Sequence, residues 1–204
     1  MTISVETAAD DYLLTTLSNV KTLLNIDEPA SDALLNILIL RASYACNQYC
    51  RRVFAQEQVL ETIPGTGTAR LMLERTPLVS IDQVDYEGDT IDSSEYEIER
   101  HGTGTVLREN KWTLNTLGDG IGKPDWEITY TAGYVLPNHS GTRDLPYDVE
   151  QGAIEVIKAW YYARCRDGTL RTEEVVDVWQ GTYSGQAIPM SAKQLLNPWR
   201  VLGA

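Results

Sequence analysis

The sequence predicts an α+β fold: a helical core with an inserted antiparallel β lobe and an extended C-terminal tail. Three observations predict it. Two stretches, about residues 31–52 and 146–166, repeat apolar residues at helical spacing. Between them, over residues 56–130, the period falls to two. The last segment, residues 190–204, holds Lys193 and Arg200 but no acid, whereas the whole chain carries a net charge of −12. The helical core then comprises residues 1–55 and 131–189, the β lobe residues 56–130, and the tail residues 190–204. A length of 204 residues suits one domain or a core with an inserted lobe.

Taken in order, residues 1–10 read as loose. Leu13, Leu17, Val20 and Leu24 lie at helical spacing, and Thr15 or Thr16 suits the N-cap of a short helix ending near Ile26. Asp27-Glu28-Pro29-Ala30 breaks it. Ser31 is placed to cap the long helix that reaches about Arg52, with Leu34, Leu35, Leu38, Ala42, Ala45, Tyr49 and Val53 as its stripe. In the lobe, Leu71 and Leu73 alternate, as do Val79 and Ile81. Val84 and Tyr86 alternate in the opposite phase, which predicts a bulge near Asp82-Gln83 or a break there. Glu87-Gly88-Asp89 reads as a turn. Tyr96 and Ile98 lead through Arg100–Gly104 into Thr105–Arg108 as a hairpin. Trp126, Ile128 and Tyr130 share one face of a strand that closes the lobe. Pro146 suits the first turn of the last long helix, and Asp148 and Glu150 favour its positive end. Val149, Ala153, Val156, Trp160 and Ala163 follow one face, while Ile154, Ile157 and Tyr161 widen it. Residues 167–189 are mixed, and Val175, Val176, Val178 and Trp179 form a short apolar patch. Leu195, Leu196, Trp199 and Leu202 give the tail an apolar side, on a short helix broken by Pro198.

The charge balance argues against a nucleic-acid grip, which needs clustered Lys and Arg, and against an anionic membrane surface. An acidic wall past which DNA slides without sticking is compatible with it. No apolar run approaches the roughly 18 residues of a membrane span. The acidic, polar N-terminus does not read as a secretory signal, and Asn138-His139-Ser140 reads as a chance glycosylation match. The three cysteines, Cys46, Cys50 and Cys165, suit a reducing, cytosolic compartment.

Catalytic chemistry finds no support, and no cofactor or metal is predicted. Gly118–Lys123 is one residue short of a phosphate loop, and Pro124 stands where its hydroxyl should be. The Gly65–Thr68 and Gly102–Thr105 repeats read as turns beside strands. His101 and His139 lie in loops with no nucleophile in context. Cys46 and Cys50 share a helical face but lack the further ligands of a metal site, so packing at a helix contact is the reading. Asp82 to Glu99 carries eight carboxylates and no Lys or Arg. It does not match a calcium loop, and its reading is a solvated or partner-facing surface. A small metal-dependent enzyme using this run is the least favoured alternative. Binding or assembly is what remains, and an apolar tail of opposite charge to the body suits subunit docking.

Four stretches, in this order, resemble the head–tail connector (adaptor) proteins of tailed bacteriophages and prophages. The first is a Leu-rich helix, an Asp-containing break and a long helix ending Tyr49-Cys50-Arg51-Arg52-Val53-Phe54. The second is Leu71–Ile81 with Val84 and Tyr86. The third is Ile128–Tyr134, Leu145-Pro146 and the helix through Trp160–Arg164. The fourth is Ile188-Pro189 with Leu195–Arg200. The resemblance runs from about Leu13 over most of the chain. It implies a non-enzymatic virion protein of the head–tail junction, held in the host cytoplasm before assembly. Its partners would be a portal protein, a tail-side stopper or tail-completion protein, and further copies of itself in a ring, commonly of twelve. DNA would pass without sequence-specific binding. Carried onto this chain, residues 190–204 become the portal-docking segment, with Leu195, Leu196, Trp199 and Arg200 as anchors. Ile157, Trp160 and Tyr161 become candidates for subunit packing. Another tail-completion or stopper-type protein is the alternative. The long acidic β lobe departs from relatives that are nearly all helical.

Overall fold

The computed structural model describes residues 2–115, 126–164, 172–175, 179–182 and 187–201. The fold is α+β, and the chain divides into two compact units, Met1–Asp10 with Ala55–Val135, and Asp11–Phe54 with Leu136–Ala204.

The first unit is all β. Its strands are β1 (Thr2–Thr7), β2 (Glu57–Ile63), β3 (Arg70–Met72), β4 (Leu78–Tyr86), β5 (Asp89–Thr90), β6 (Tyr96–Arg100), β7 (Thr105–Arg108) and β8 (Trp126–Ala132). A five-stranded sheet has the order β1-β2-β8-β4-β5, and a three-stranded sheet the order β3-β7-β6. All described pairs in these sheets are antiparallel. The two sheets share one core, in which Trp112, Trp126, Ile128, Leu71 and Val106 are buried. Strand alternation accounts for the inward set: Trp126, Ile128, Tyr130 and Ala132 from β8, and Glu57, Val59, Glu61 and Ile63 from β2. The β4–β8 register slips between Ile81 and Gln83, where the change of phase predicts a bulge. Residues 2–7 correct the reading of the N-terminus as loose. They pair with β2 from Thr2↔Thr62 to Thr7↔Gln58. Backbone pairing carries most of this edge strand, helped by Ile3 against the core and a Thr7–Gln58 side-chain bond; its other side chains are exposed, so hydrophobic periodicity does not reveal it.

Gly133 ends β8 with φ +112°, and a Cβ there would lie 2.3 Å from the Ala55 carbonyl oxygen. Only glycine allows this close approach, which is fixed by hydrogen bonds from Gly133 N–H to Pro77 O and from Gln56 N–H to Tyr134 O.

The second unit is mainly helical: α1 (Leu17–Leu24), α2 (Asp32–Cys50), α3 (Tyr147–Ala163) and α4 (Met190–Leu196). Thr16 caps α1 by accepting from the Asn19 N–H at 3.2 Å, and Asn25 ends it in the left-handed conformation. Ser31 does not cap α2 through its side chain, because a 3-10 turn at Pro29–Ser31 leads straight into the helix. Asp32 instead favours the positive end and pairs with Lys21 at 2.7 Å. Arg51 closes α2 with φ 54°. Helix α3 begins after Pro146, with Asp148 and Glu150 in its first turn. The part of the expected helix beyond Arg164 lies outside the described residues. Two short strands, β9 (Thr172–Val175) and β10 (Trp179–Thr182), pair antiparallel. Val176 and Val178 of the apolar patch, and the phosphate-loop-like Gly118–Pro124, also fall outside the described residues.

The C-terminal segment is not extended where it is described. Met190–Leu196 is helical and Asn197–Trp199 forms a 3-10 turn. Leu196 and Ala192 are fully buried. Gly152 on α3 permits this, since a Cβ there would lie 2.9 Å from Leu196 Cγ. The apolar side of the tail is thus partly consumed inside the unit.

Candidate functional site

The groups that sequence singles out for chemistry are structural. Cys46 and Cys50 are free and buried. Burial pushes their thiols up to about 12 and about 11, so both stay protonated at neutral pH. The Cys50 thiol lies 3.7 Å from the Leu196 carbonyl, and the Cys50 carbonyl accepts from Val201 N–H at 2.9 Å. Cys50 thus packs the end of α2 against the C-terminal segment, and Cys46 is buried one turn earlier. His101 bonds the Leu78 carbonyl through Nδ1 and so ties its turn to the start of β4, while His139 Nδ1 accepts from Gly141 N–H within its own loop.

Several carboxylates of the acidic run hold side-chain or backbone partners at the solvent-exposed surface. Glu99 takes Arg70 in a two-pronged contact, both distances 2.7 Å. Glu95 pairs with Arg108 at 2.8 Å. Asp82 accepts from Gln58, Ser80 and Thr131, and Asp85 from Gln83 and Thr90. Asp92 caps the turn at Ser94. Among the described residues, no three His, Cys, Asp or Glu side chains are arranged to hold a metal ion.

Three buried glutamates escaped notice, because charge in an alternating strand or a first helical turn reads as surface. Glu61 is fully buried on the inner face of β2. It accepts from the Tyr130 hydroxyl at 2.6 Å and the Glu74 N–H at 3.1 Å. Burial raises its carboxyl above the usual range, and those two donors offset the rise in part. Burial, then Glu61, likewise raises Tyr130, which stays a neutral donor. Glu57, on the same face, lies 3.9 Å from Arg75. Glu150 is a junction in the helical unit: Thr15 and Asn19 donate to it at 2.9 and 2.8 Å, and Arg143 pairs with it at 2.7 Å.

Glu61 yields a pH prediction. Its raised value means that folding favours the protonated form. Its contribution is full below its unfolded value, about pH 4, and declines as pH rises through the folded value. Glu61→Gln stays neutral throughout. In urea titrations, the stability of this variant relative to the native chain should therefore improve as pH rises from ~4 towards 8. A difference independent of pH would remove the burial argument.

The residues expected to pack or dock fall into two groups. Ile157, Tyr161 and Leu196 are buried. Trp160 is half-buried and donates from Nε1 to the Ala187 carbonyl at 2.8 Å. Leu195 and Trp199 are half-buried, and Arg200 is exposed. Arg200 lies over the Tyr49 ring at 5.5 Å, and the Tyr49 hydroxyl donates to Asn197 at 2.6 Å. The C-terminal segment is therefore anchored by Leu196 and Ala192, and presents Leu195, part of Trp199 and Arg200 outward. Helix α2 leaves Ile37, Leu40 and Tyr44 exposed. Sequence reading missed that second stripe because α2 is apolar nearly all round.

Comparison with known proteins places the chain in a family. A model of the head completion protein family matches residues 13–202. No curated protein matches closely enough to count as a relative. Among solved structures, a chain in the neck of an empty GTA particle, reconstructed with C6 symmetry, is similar with a TM-score of 0.63 and 15% identity. A chain in the neck of a native GTA particle, reconstructed with C12 symmetry, gives 0.60 and 14%. A chain in the virion of a native gene transfer agent particle gives 0.62 and 16%. Each comparison covers 100% of this chain and 97% of the other. The chain belongs to the head completion protein family: it is a structural virion protein of the head–tail connector class, not an enzyme.

Proposed function

We propose that this chain is a connector subunit that joins head to tail by forming a ring beneath the portal and extending the DNA channel. The observation that carries the reading is the family match across residues 13–202. The similar chains belong to necks reconstructed with sixfold and twelvefold symmetry, which supports a cyclic arrangement of copies. The portal is the head-side partner, and a stopper or tail-completion protein binds on the other side. The helical unit supplies the ring body. The net charge of −12 suits a conduit, since surplus carboxylates repel phosphate and reduce sticking.

The outward part of the C-terminal segment is the portal-docking surface. Leu195, Trp199 and Arg200 make the contact, while Leu196 holds the segment in place. Truncation would confuse these roles, because removing residues 190–204 also uncovers α3. The sharper test is Leu195→Glu combined with Arg200→Glu. Portal binding measured by pull-down and calorimetry should weaken roughly a hundredfold, with the melting temperature little changed. Unchanged binding by a folded variant would place portal contact elsewhere.

A further inference from the structure

Helix α2 uses only one of its two apolar sides. Leu35, Ile39, Ala42 and Cys46 face into the helical unit and are at most 1% exposed. Ile37, Leu40 and Tyr44 recur at steps of three and four and are 48%, 59% and 66% exposed. At about 100° per residue, this second stripe lies on the far side of the helix from the first. It points away from the helices against which α2 packs. Arg41 is exposed on its flank.

A groove of about 460 Å³ lies between α1 and α3. Leu23, Tyr147 and Ile154 give it an apolar wall, Asn19, Thr22 and Gln151 give it a polar one, and Asp148 and Glu150 give it an acidic edge. Leu23 and Tyr147 are 58% and 77% exposed, so the rim is costly in water until covered. Glu150 is already engaged by Arg143, Thr15 and Asn19, which leaves exposed Asp148 as the acid facing outward.

The two surfaces are complementary: an apolar stripe flanked by a cation, and a groove with an apolar wall and an anion at its edge. One copy cannot fill its own groove, because its stripe faces the opposite way. We propose that the Ile37–Leu40–Tyr44 stripe of one copy seats in the α1–α3 groove of the next, with Arg41 against Asp148. This rests on the ring reading above and names the surfaces that make the ring. Two unlike patches form a heterologous, head-to-tail contact, and such contacts close into rings when the rotation between copies divides the circle.

The test uses the full-length chain during particle assembly. Incorporation is read by densitometry, neck rings by electron microscopy, and folding by circular dichroism. Leu40→Asp should keep its fold and lose roughly thirtyfold or more in incorporation. Arg41→Asp and Asp148→Arg should each lose about tenfold, because each sets like charges against one another. The double variant carrying both reversals should recover most of the loss. Wild-type incorporation by folded Leu40→Asp, with normal rings, would overturn this contact and leave the ring reading standing. Failure of the double variant to recover would overturn the Arg41–Asp148 pairing. Native particles whose necks hold this chain without a ring would overturn the ring reading and this contact with it.

Discussion

Replacing Trp126 with alanine is expected to cost about 3–5 kcal/mol of stability, the largest loss from any single truncation in the β unit. The indole is fully buried. Its ring centre lies 4.3 Å from that of Tyr86 and 4.8 Å from that of Trp112, the latter edge-on. The Arg108 guanidinium stands 5.0 Å above it, and its Nε1 donates to the Thr113 carbonyl at 3.0 Å. Truncation therefore opens a cavity, removes two aromatic contacts and leaves the Thr113 carbonyl without that donor. Trp126→Phe should recover the greater part of the loss, because it restores apolar volume but not the hydrogen bond. Urea denaturation followed by circular dichroism measures both. A loss below about 1 kcal/mol for alanine would mean that the ring does not carry the core.

The second large effect is expected at Gly152. This position on α3 has no room for a side chain, since Leu196 already occupies the space. Gly152→Leu should evict Leu196, forfeiting its burial and straining the seam by about 3 kcal/mol together. The consequence for assembly is larger than for folding. Helix α4 would leave α3, and Leu195, Trp199 and Arg200 would lose their fixed positions. Hydrogen exchange over residues 190–201 should rise towards the rate of free peptide, while exchange in the centre of α2 changes little. Protection retained at residues 190–201 would show that Leu196 is not the anchor. Gly152→Ala is a finer probe. The helix propensity it gains, up to about 1 kcal/mol, is set against a Cβ 2.9 Å from Cγ of the fully buried Leu196, so a net loss smaller than that of Gly152→Leu is expected in urea denaturation.

The elements with strong periodicity were legible in the sequence. Alternation located β8 and its inward face, and the phase change at Asp82-Gln83 located the bulge. Helical spacing located α1, α2 and α3, and a side-chain cap helped only for α1. What stayed hidden has physical causes. Strand β1 buries almost nothing, so its signal is backbone pairing, to which side-chain pattern is blind. Glu61 and Glu57 read as the polar half of an alternating strand, yet they occupy its inner face with Val59 and Ile63. Only the partners, Tyr130 and Arg75, make that burial tolerable, and partners distant in sequence are invisible to a local pattern. The tail read as a docking segment with a short helix broken by Pro198, its apolar side left for a partner, because nothing local showed what covers it. The glycine that receives it, Gly152, lies more than forty residues earlier in another helix. The C-terminal segment was therefore singled out as a whole, without sorting its residues into those that are buried against α3 and those that face outward.

The strand order β1-β2-β8-β4-β5 has a consequence for how the protein is made. The middle strand of the larger sheet is the last of its strands to leave the ribosome. Until residues 126–132 emerge, β2 and β4 have each synthesised an apolar face and an open edge with nothing between them. The lobe closes in one late event, by contacts of high sequence separation, which are slow to form and leave the edges exposed meanwhile. The helical unit is still waiting for α3 at that moment. A ribosome stalled near residue 120 would thus carry a chain with neither unit complete, and one stalled beyond residue 165 with its tunnel cleared would carry the β unit folded.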